Sequence, residues 1–365
     1  MKILYIAPLP PPLAGHSLVA QAFYEELAKD HEVAEVNFNK QSFKDGVDSF
    51  KRVFEVLDVL KAVWRKKKNA DAVYLTISES FAGNLKDIVI YLLCFPKLSR
   101  FYIHLHGGTI RRELWDHHKF LIPVNRFFIK RMAGVIISGK SHLPIFEDMI
   151  DRSKIHMVPN FALDPLFVKE ANIHAKFADT SVLRILYISN MIERKGYNDL
   201  ATAALTLRED LKGRVRVDFA GRFETPEQEA EFRSEIEGAD HIQYHGVIDG
   251  ESKRKLFAEA HIFCLPTGYF EGQPVSIPEA YASGCVVVTT GQPGILDIFT
   301  PGLNGYQIEI KSPQSIRDTI EKIVDTKVDL EEIALRNRRI ADEQFRMPIY
   351  NKALRTIVES VKQVT

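Results

Sequence analysis

The chain has 365 residues, of which 45% are hydrophobic and 26% are charged. This composition is typical of a globular protein and excludes a disordered chain, and the length favours two domains over one. Lysine plus arginine and aspartate plus glutamate both number 48, so the overall charge is zero and no nucleic-acid partner is expected.

The cysteines and the N-terminal run bear on the cellular compartment. Cys94, Cys264 and Cys285 lack metal-ligand spacing and are typical of buried thiols in a reducing environment. The run MKILYIAP leads into a proline-rich turn instead of an apolar leader, and the most apolar stretch, residues 88–95, is too short to span a bilayer. We therefore expect a cytoplasmic protein.

In the first half of the chain, short apolar runs alternate with helical patterns. This alternation is typical of a parallel sheet with helices on both faces. The predicted strands are KILYIAP (2–8), HEVAEVNF (31–38), DAVYLTI (71–77), FYIHLHG (101–107), GVIISG (134–139) and KIHMVPN (154–160).

A basic amphipathic helix is predicted between the second and third strands, at KRVFEVLDVLKAVWRKKK (51–68). Residues 51–140 contain 17 Lys and Arg against 7 Asp and Glu. A helix of this kind can lie on an anionic membrane surface, and the cluster Arg65–Lys68 and the run RFFIKRM (126–132) favour that interpretation. The alternative is a domain-surface helix whose apolar side chains face a core. In that case the core-facing residues are Val53, Leu57, Leu60 and Trp64.

The alternation of apolar strands and helical patterns is interrupted at residues 161–180, which show no clear period and which we interpret as a linker. The alternation then resumes. The later predicted strands are VLRILYIS (182–189), RVRVDFAG (214–221), HIQYHG (241–246), HIFCLP (261–266) and CVVVTT (285–290).

The sequence thus predicts an α/β protein with two doubly wound, parallel-sheet domains. We place the first at residues 1–165 and the second at residues 166–345. The last segment, Leu330–Val364, is predicted to be helical throughout, with its end (346–365) packing back on the first domain.

Two glutamates eight positions apart, Glu271 and Glu279, lie in YFEGQPVSIPEAYASG, which leaves a predicted strand and enters a helix. Open α/β sheets bind ligands at the carboxyl ends of their strands. Ser276 and Glu279 fit a capping box, so a structural role for Glu279 remains open. A helix N-terminus preceded by Gly272 is also suited to a diphosphate. Capping does not account for Glu271.

This pair and its surroundings resemble the E-x7-E signature of family 4 glycosyltransferases, which are retaining enzymes with the GT-B fold. Further segments are similar to the family in order and spacing, so the resemblance covers essentially the whole chain. It implies two Rossmann-like domains facing a central cleft, with the acceptor on the first domain and a nucleotide-sugar donor on the second. These segments are PPPLAGHS (10–17), HLHGG (104–108), VPNFALD (158–164), ILYISNMIERKGYNDL (185–200), FAGRF (219–223), YHGVIDGES (244–252) and PGLNGYQIE (301–309).

The resemblance implies catalytic roles for three residues. Glu271 would bind hydroxyls of the transferred sugar, and Lys195 would neutralise the leaving phosphates. His106 would contact the sugar across the cleft; without the resemblance, an ordinary strand-end histidine is the simpler interpretation.

The resemblance also implies a set of donor-binding residues. Glu279 would hold the nucleotide ribose, and Gly15 matches the glycine-rich first turn. The remaining members are the loop residues Gly272, Gln273, Pro274, Val275 and Ser276.

The chain departs from the family at the phosphate site. The usual glycine–arginine pair after the first strand of the second domain is Ser189–Asn190 here. Arg194 or Arg222 would then supply the missing cation, and both join Asn190 among the candidate donor-binding residues. The chain has no Asp-x-Asp, the pair that many transferases use to hold a divalent cation. We therefore expect no metal and no cofactor besides a UDP- or GDP-type donor.

The sequence predicts a metal-independent glycosyltransferase of the hexosyltransferase type. It would move a sugar to a glycan acceptor, lipid-linked or polysaccharide, in cell-surface glycan biosynthesis at the inner face of the membrane. Two alternatives remain: a non-catalytic sugar-nucleotide-binding subunit that supports a partner transferase, and a soluble epimerase or disaccharide synthase with the same fold. Intact Glu271, Lys195 and Glu279 argue against the first alternative.

Overall fold

The computed structural model describes residues 1–11, 15–38, 49–326 and 329–361, without the side chains of 16 and 49–52. The chain divides into two compact units, Met1–Asn160 with Met347–Thr365, and Phe161–Arg346. The boundary lies at residue 160 and not at the predicted 165, because Ala162 is buried in the core of the second unit. Its amide donates a hydrogen bond to the Phe345 carbonyl at 2.9 Å.

The first unit is built on one six-stranded parallel sheet of order β2-β1-β3-β4-β5-β6. Its elements in chain order are β1 (Lys2–Ala7), α1 (Gly15–Ala28), β2 (Glu32–Asn37), α2 (Ser49–Lys66), β3 (Ala72–Thr76), α3 (Phe81–Leu93), β4 (Phe101–Leu105), α4 (Leu121–Ile129), β5 (Gly134–Ile137), α5 (Leu143–Phe146) and β6 (Ile155–Met157).

Helices cover both faces of this sheet. The central strands β3 and β4 are buried at every residue, as expected for strands between two helical layers. On one face, Val63 of α2 and Ile90 of α3 join the strand residues in a single apolar core. On the other face, the rings of Tyr5 and Tyr74 stack with centroids 4.7 Å apart.

Helix α2 corrects the core-facing interpretation of the basic segment. Val53, Leu57 and Trp64 are each more than half exposed, whereas Val59 and Val63 are buried. The buried stripe is therefore displaced around the helix from the one that the sequence pattern favoured.

The C-terminal segment, predicted to be helical throughout, consists of two helices with a break at residues 345–346. They are α14 (Leu330–Gln344) and α15 (Met347–Glu359). Pro348 follows the break; a proline is tolerated in a first helical turn but cannot continue the hydrogen-bond ladder of a preceding helix. Helix α15 belongs to the first unit and packs on α1, where Arg355 pairs with Asp30 at 2.6 Å.

The second unit has a six-stranded parallel sheet of order β12-β11-β10-β7-β8-β9. Its elements, which end with α14, are α6 (Glu170–Phe177), β7 (Leu183–Ile188), α7 (Tyr197–Leu205), α8 (Glu209–Lys212), β8 (Val215–Ala220), α9 (Pro226–Glu235), β9 (Ile242–Tyr244), α10 (Gly250–Glu259), β10 (Ile262–Leu265), α11 (Ser276–Ala282), β11 (Val286–Thr290), α12 (Pro293–Leu296), β12 (Gly305–Ile308) and α13 (Pro313–Thr326).

Two features of this unit differ from the sequence interpretation. The predicted linker contains α6, whose Ile173 and Phe177 are buried in the core. Strand β12 was not predicted. It begins at Gly305, where φ is +145° and a Cβ would lie 1.9 Å from the Val287 carbonyl oxygen, so only glycine fits there.

The predicted fold class, α/β with two doubly wound parallel sheets, is confirmed, and the eleven predicted strands are present. In the second sheet the strand order reverses between β7 and β10, which are hydrogen-bonded neighbours. In open α/β sheets, such a reversal at the carboxyl ends of the strands is the usual ligand position. Across the described ranges, no helix is both long and apolar enough to cross a bilayer.

Candidate functional site

An ion pair lies where the strand order of the second sheet reverses. Lys195 follows β7 and Glu271 follows β10, and Lys195 Nζ lies 3.3 Å from Glu271 Oε1. Thr267 Oγ1 donates to the same oxygen at 3.2 Å. Less than a fifth of either charged side chain is exposed. Two sequence-predicted residues, 76 positions apart, therefore meet at the strand-order reversal.

Backbone geometry fixes the position of Lys195. The residue ends a 3₁₀ turn, Glu193–Lys195, and Gly196 then adopts φ +77°. A Cβ at Gly196 would lie 2.2 Å from the Pro266 carbonyl oxygen, at the end of β10. Only a glycine permits that approach, and it holds the two loops together. Gly268 N also donates to the Arg194 carbonyl at 2.8 Å.

Glu279 is buried in the first turn of α11 and pairs with Lys253 of α10. Lys253 Nζ lies 2.6 Å from Glu279 Oε1. Burial raises the pKa of the Glu279 carboxyl above its ordinary value, and the lysine offsets part of that rise. The capping-box alternative is wrong, because α11 has no side-chain cap and begins after Val275.

The loop from Gly272 to Ser276 lies against α12. A Cβ at Gly294 would lie 1.5 Å from the Gly272 carbonyl oxygen and 2.4 Å from that of Glu271. Gly272, Gln273 and Pro274 are buried. Direct contact between two backbone segments therefore sets the course of the loop.

The three candidate phosphate-site residues are all exposed. Asn190 and Arg194 follow β7, and Arg222 follows β8. Among the described residues, neither arginine side chain forms an ion pair. The backbone amide of Met191 donates to the Arg222 carbonyl at 2.9 Å, which brings the Asn190 and Arg222 loops side by side.

In the first unit, Glu79 organises the HLHGG loop. Its Oε1 accepts hydrogen bonds from the Thr109 and Ile110 amides at 2.7 and 2.9 Å. A Cβ at Gly107 would lie 1.6 Å from Glu79 Oε2. Burial raises the pKa of Glu79, and the two amides offset part of that rise.

His106 is partly buried in this loop, directly after β4. Its ring centroid lies 4.0 Å from that of His104. His104 is buried, and its Nδ1 lies 2.6 Å from Tyr74 Oη. Burial, with a smaller effect of His106, lowers the pKa of His104 well below its ordinary value.

Gly15 begins α1 and is exposed, while the preceding residues 12–14 of the predicted first turn lie outside the described residues. The structure thus brings Lys195 and Glu271 into contact. Glu279, the loop from Gly272 to Ser276 and the candidate cations lie on the second unit, and His106 and Gly15 on the first.

Four contributing residues were not found from the sequence: Lys253, Thr267, Gly294 and Glu79. A signal existed for Gly294, because GQPG after a strand suggests a tight turn. Lys253 and Glu79 have partners that are distant in the chain. Thr267 lies only four residues from its partner Glu271, but no motif identified in the sequence includes it.

Part of the chain matches a known protein family. Residues 168–340 match the family model described as "Glycosyl transferases group 1". The amylovoran biosynthesis glycosyltransferase AmsK of Erwinia amylovora is 24% identical over 260 residues, which cover 70% of this chain and 62% of that protein. The chain thus spans less than two thirds of this relative.

Two solved structures are similar over nearly the whole chain. HepE of Anabaena, crystallised with UDP and glucose, has a TM-score of 0.75 at 15% identity and covers 99% of this chain and 100% of its own. WaaG, a glycosyltransferase involved in lipopolysaccharide biosynthesis, has a TM-score of 0.68 at 14% identity, with coverage of 98% and 99%. The whole chain therefore has the GT-B fold, and its residues 168–340 match the model of the group 1 glycosyltransferases.

Proposed function

We propose that the protein is a retaining, metal-independent glycosyltransferase of family 4 that transfers a hexose from a nucleotide diphosphate to a glycan acceptor. The observation that carries this proposal is the Lys195–Glu271 ion pair at the carboxyl ends of β7 and β10. It lies in the segment that matches the glycosyltransferase family model, where open α/β sheets bind their ligands.

In the absence of donor, Lys195 neutralises Glu271. When a nucleotide sugar binds, its phosphates offer Lys195 a stronger anionic partner, and the Glu271 carboxylate accepts hydrogen bonds from the sugar hydroxyls. As the bond from the anomeric carbon to the phosphate oxygen breaks, negative charge grows on the diphosphate. Lys195 then stabilises charge that exists mainly in the transition state, which is where stabilisation increases the rate.

Retention follows from a front-face displacement. The acceptor hydroxyl attacks the anomeric carbon from the side that the diphosphate leaves, and its proton passes to the departing phosphate oxygen. Glu271 serves to hold the sugar and not as a nucleophile. We assign His106 to the sugar and Glu279 to the ribose hydroxyls, with Arg194 or Arg222 in place of the arginine missing at Asn190.

We propose UDP as the donor nucleotide, because HepE was crystallised with UDP. The acceptor is a polysaccharide or a lipid-linked glycan, in view of the similarity to AmsK and WaaG. Such acceptors are assembled at membranes, so we place the protein in the cytoplasm at the inner face of the membrane, in peripheral contact with anionic lipid.

The test compares three glutamate variants by UDP titration and by sugar transfer from UDP-hexoses. E271A should abolish transfer and leave UDP binding nearly intact, because its proposed contacts are to the sugar. E279A should weaken UDP binding itself. E259A is the control, since Glu259 pairs with Arg184 outside the candidate site and should change neither property.

Equal loss of UDP binding in E271A and E279A, with early melting of both, would reduce the two glutamates to structural roles. UDP binding by wild type without transfer or sugar epimerisation would favour the non-catalytic subunit. Wild-type activity that is lost in EDTA and restored by Mg²⁺ would contradict the metal-independent mechanism.

A further inference from the structure

Helix α3 has an inverted arrangement of polar and apolar side chains. Its polar residues Asn84, Lys86 and Asp87 are buried, and its exposed residues are all apolar. Surface helices normally place the polar face towards water. The exposed residues of α3 are Phe81, Ala82, Leu85, Val89 and Leu92.

The buried polar side chains of α3 are paired, so the inversion is stable. Lys86 Nζ lies 3.2 Å from Asp87 Oδ1, and Asp87 Oδ2 accepts from the Ser78 amide at 2.7 Å. Asn125 Nδ2 of α4 donates to Asn84 Oδ1 at 2.9 Å. A buried polar group is costly only when it lacks such partners, and these contacts fix which face of α3 points outward.

The exposed apolar surface continues from α3 onto α4. The Phe81 ring lies 6.4 Å from that of Phe120, and the Phe95 ring lies 6.2 Å from that of Phe127, measured between centroids. Val124 of α4, between Phe120 and Phe127 in the chain, is also exposed. These contacts join the two helices at both ends, so the patch is one surface. Contiguous patches of this kind mark sites of protein or membrane contact.

Cationic side chains border one end of this patch. A cavity of about 380 Å³ opens there, lined by Trp64, Lys67 and Lys97 among others. Lys67 donates to the Leu93 carbonyl at the end of α3 and lies 4.1 Å from the centroid of the Trp64 ring. Arg131 lies 3.9 Å from the Phe127 ring centroid. The other residues that line the cavity are Arg65, Lys68, Leu93, Cys94 and Pro96.

We propose that this surface, the outward faces of α3 and α4 with the cationic end of α2, docks on an anionic phospholipid bilayer. The apolar side chains of α3 and α4 enter the interface, and Arg65, Lys67, Lys68 and Lys97 bind lipid phosphates at its edge. The proposal deepens the proposed function, because it identifies the surface that would bring the enzyme to a lipid-linked acceptor.

The distribution of charged side chains around the patch favours a bilayer over a protein partner. Lysines and arginines with long apolar stems beside a tryptophan are typical of the headgroup region, where the stem lies along acyl chains and the charge reaches phosphate. Each such cation strengthens binding to an anionic leaflet. The only charged residues of α3 are the buried Lys86 and Asp87, so the outward face of α3 offers a partner protein no ion pair, and on α4 the exposed Arg126 is already paired with Asp148.

The first test changes the apolar face. Vesicles of phosphatidylglycerol and phosphatidylcholine are mixed with the full chain, without substrate, and bound protein is measured by flotation. L85S/V89S/L92S should reduce the partition constant at least about tenfold, because three apolar side chains leave the interface. The matched control M157S/V182S/I349S changes three similarly exposed apolar residues elsewhere and should bind as wild type does.

The second test changes the charge. R65E/K68E should also reduce binding at least about tenfold, and only to vesicles that contain phosphatidylglycerol. The control R254E/K255E reverses two adjacent exposed cations on α10 and should have little effect. Raised salt should weaken wild-type binding by shortening the Debye length. UDP titration of every variant measures donor binding separately, so a failure of the proposed function is distinguishable from a failure of membrane docking.

Three outcomes would overturn the proposal. If the wild-type protein does not bind phosphatidylglycerol vesicles at low salt, it has no such docking surface. If the control variants lose as much vesicle binding as the test variants, the docking surface does not lie on α3 and α2. If analytical ultracentrifugation shows a dimer that L85S/V89S/L92S dissociates, the face is covered by a second copy of the chain.

Discussion

The buried Lys253–Glu279 pair allows a stringent test of the site geometry. Lys253→Met keeps most of the apolar stem and removes the charge. Glu279 is then left with 3% of its side chain exposed and without its 2.6 Å partner. We expect K253M to destabilise the second unit and to weaken UDP binding, because the carboxylate that would hold the ribose loses its orientation.

The expected cost follows from distance and burial. Unit charges 2.6 Å apart attract by about 6 kcal/mol at an effective dielectric constant of about 20, and desolvation offsets much of this. Removing one partner of a buried pair costs about 3–5 kcal/mol, because the other charge remains buried. Since 24% of the Lys253 side chain is exposed, we expect the lower end, about 3 kcal/mol. That corresponds to a fall in melting temperature of about 6–12 °C.

Thermal unfolding of the full chain measures this cost. Lys212–Glu209 provides the control, because it is also a lysine–glutamate pair at 2.6 Å, but 87% of the Glu209 side chain is exposed. K212M should cost less than about 1 kcal/mol. K253M/E279Q should regain most of the lost stability, since no buried charge is then unpaired. If K253M melts with wild type, or K212M melts as early as K253M, the pair does not have the energetic role argued here.

Two further predictions concern the loop from Gly272 to Ser276 and the buried His104 of β4. Gly294→Ala would place a methyl carbon 1.5 Å from the Gly272 carbonyl oxygen, so the affinity for UDP should fall. The control G213A should bind UDP as wild type does, because a Cβ there meets nothing within 4 Å. Equal affinities of G294A and G213A would show that the loop adapts to the methyl group. Burial lowers the pKa of His104 in the folded chain, so stability is full above the unfolded pKa of about 6.5 and is lost as pH falls below it, by up to about 1.4 kcal/mol per pH unit for this group. Urea unfolding at several pH values between about 7 and 5 measures how steeply the free energy of unfolding falls with pH. This fall should be less steep for H104Q than for wild type and H117Q. Part of it should remain in H104Q, because burial also lowers the pKa of His156 and His261.

The sequence predicts the fold well because strand signals are local. Each of the eleven predicted strands is an apolar run bounded by turn residues, which suffices for a parallel strand covered on both faces. Strand β12, GYQI, was missed because its four residues form no apolar run, whereas β5, GVII, is equally short and is apolar throughout. The linker interpretation failed at α6 because the helix is only eight residues long and too short for a clear period.

The site was predictable only where a motif is continuous in sequence. Glu271 and Glu279 lie in one recognisable segment, and Lys195 lies in another. Lys253 and Thr267 act through contacts with those residues. The Lys253–Glu279 contact depends on the packing of α10 beside α11, and the Lys195–Glu271 contact depends on the strand order, which places β7 beside β10.

The exposed apolar face of helix α3 could not be predicted from the sequence. Its sequence, FAGNLKDIVIYLL, is apolar on nearly all sides, and such a helix is normally interpreted as buried. The two charged residues in its middle would be expected to mark the solvent face. They point inward instead, because Asp87 accepts the Ser78 amide at the end of β3 and Lys86 neutralises it. That pairing turns the apolar side outward, and a bilayer is a solvent in which this orientation is favourable.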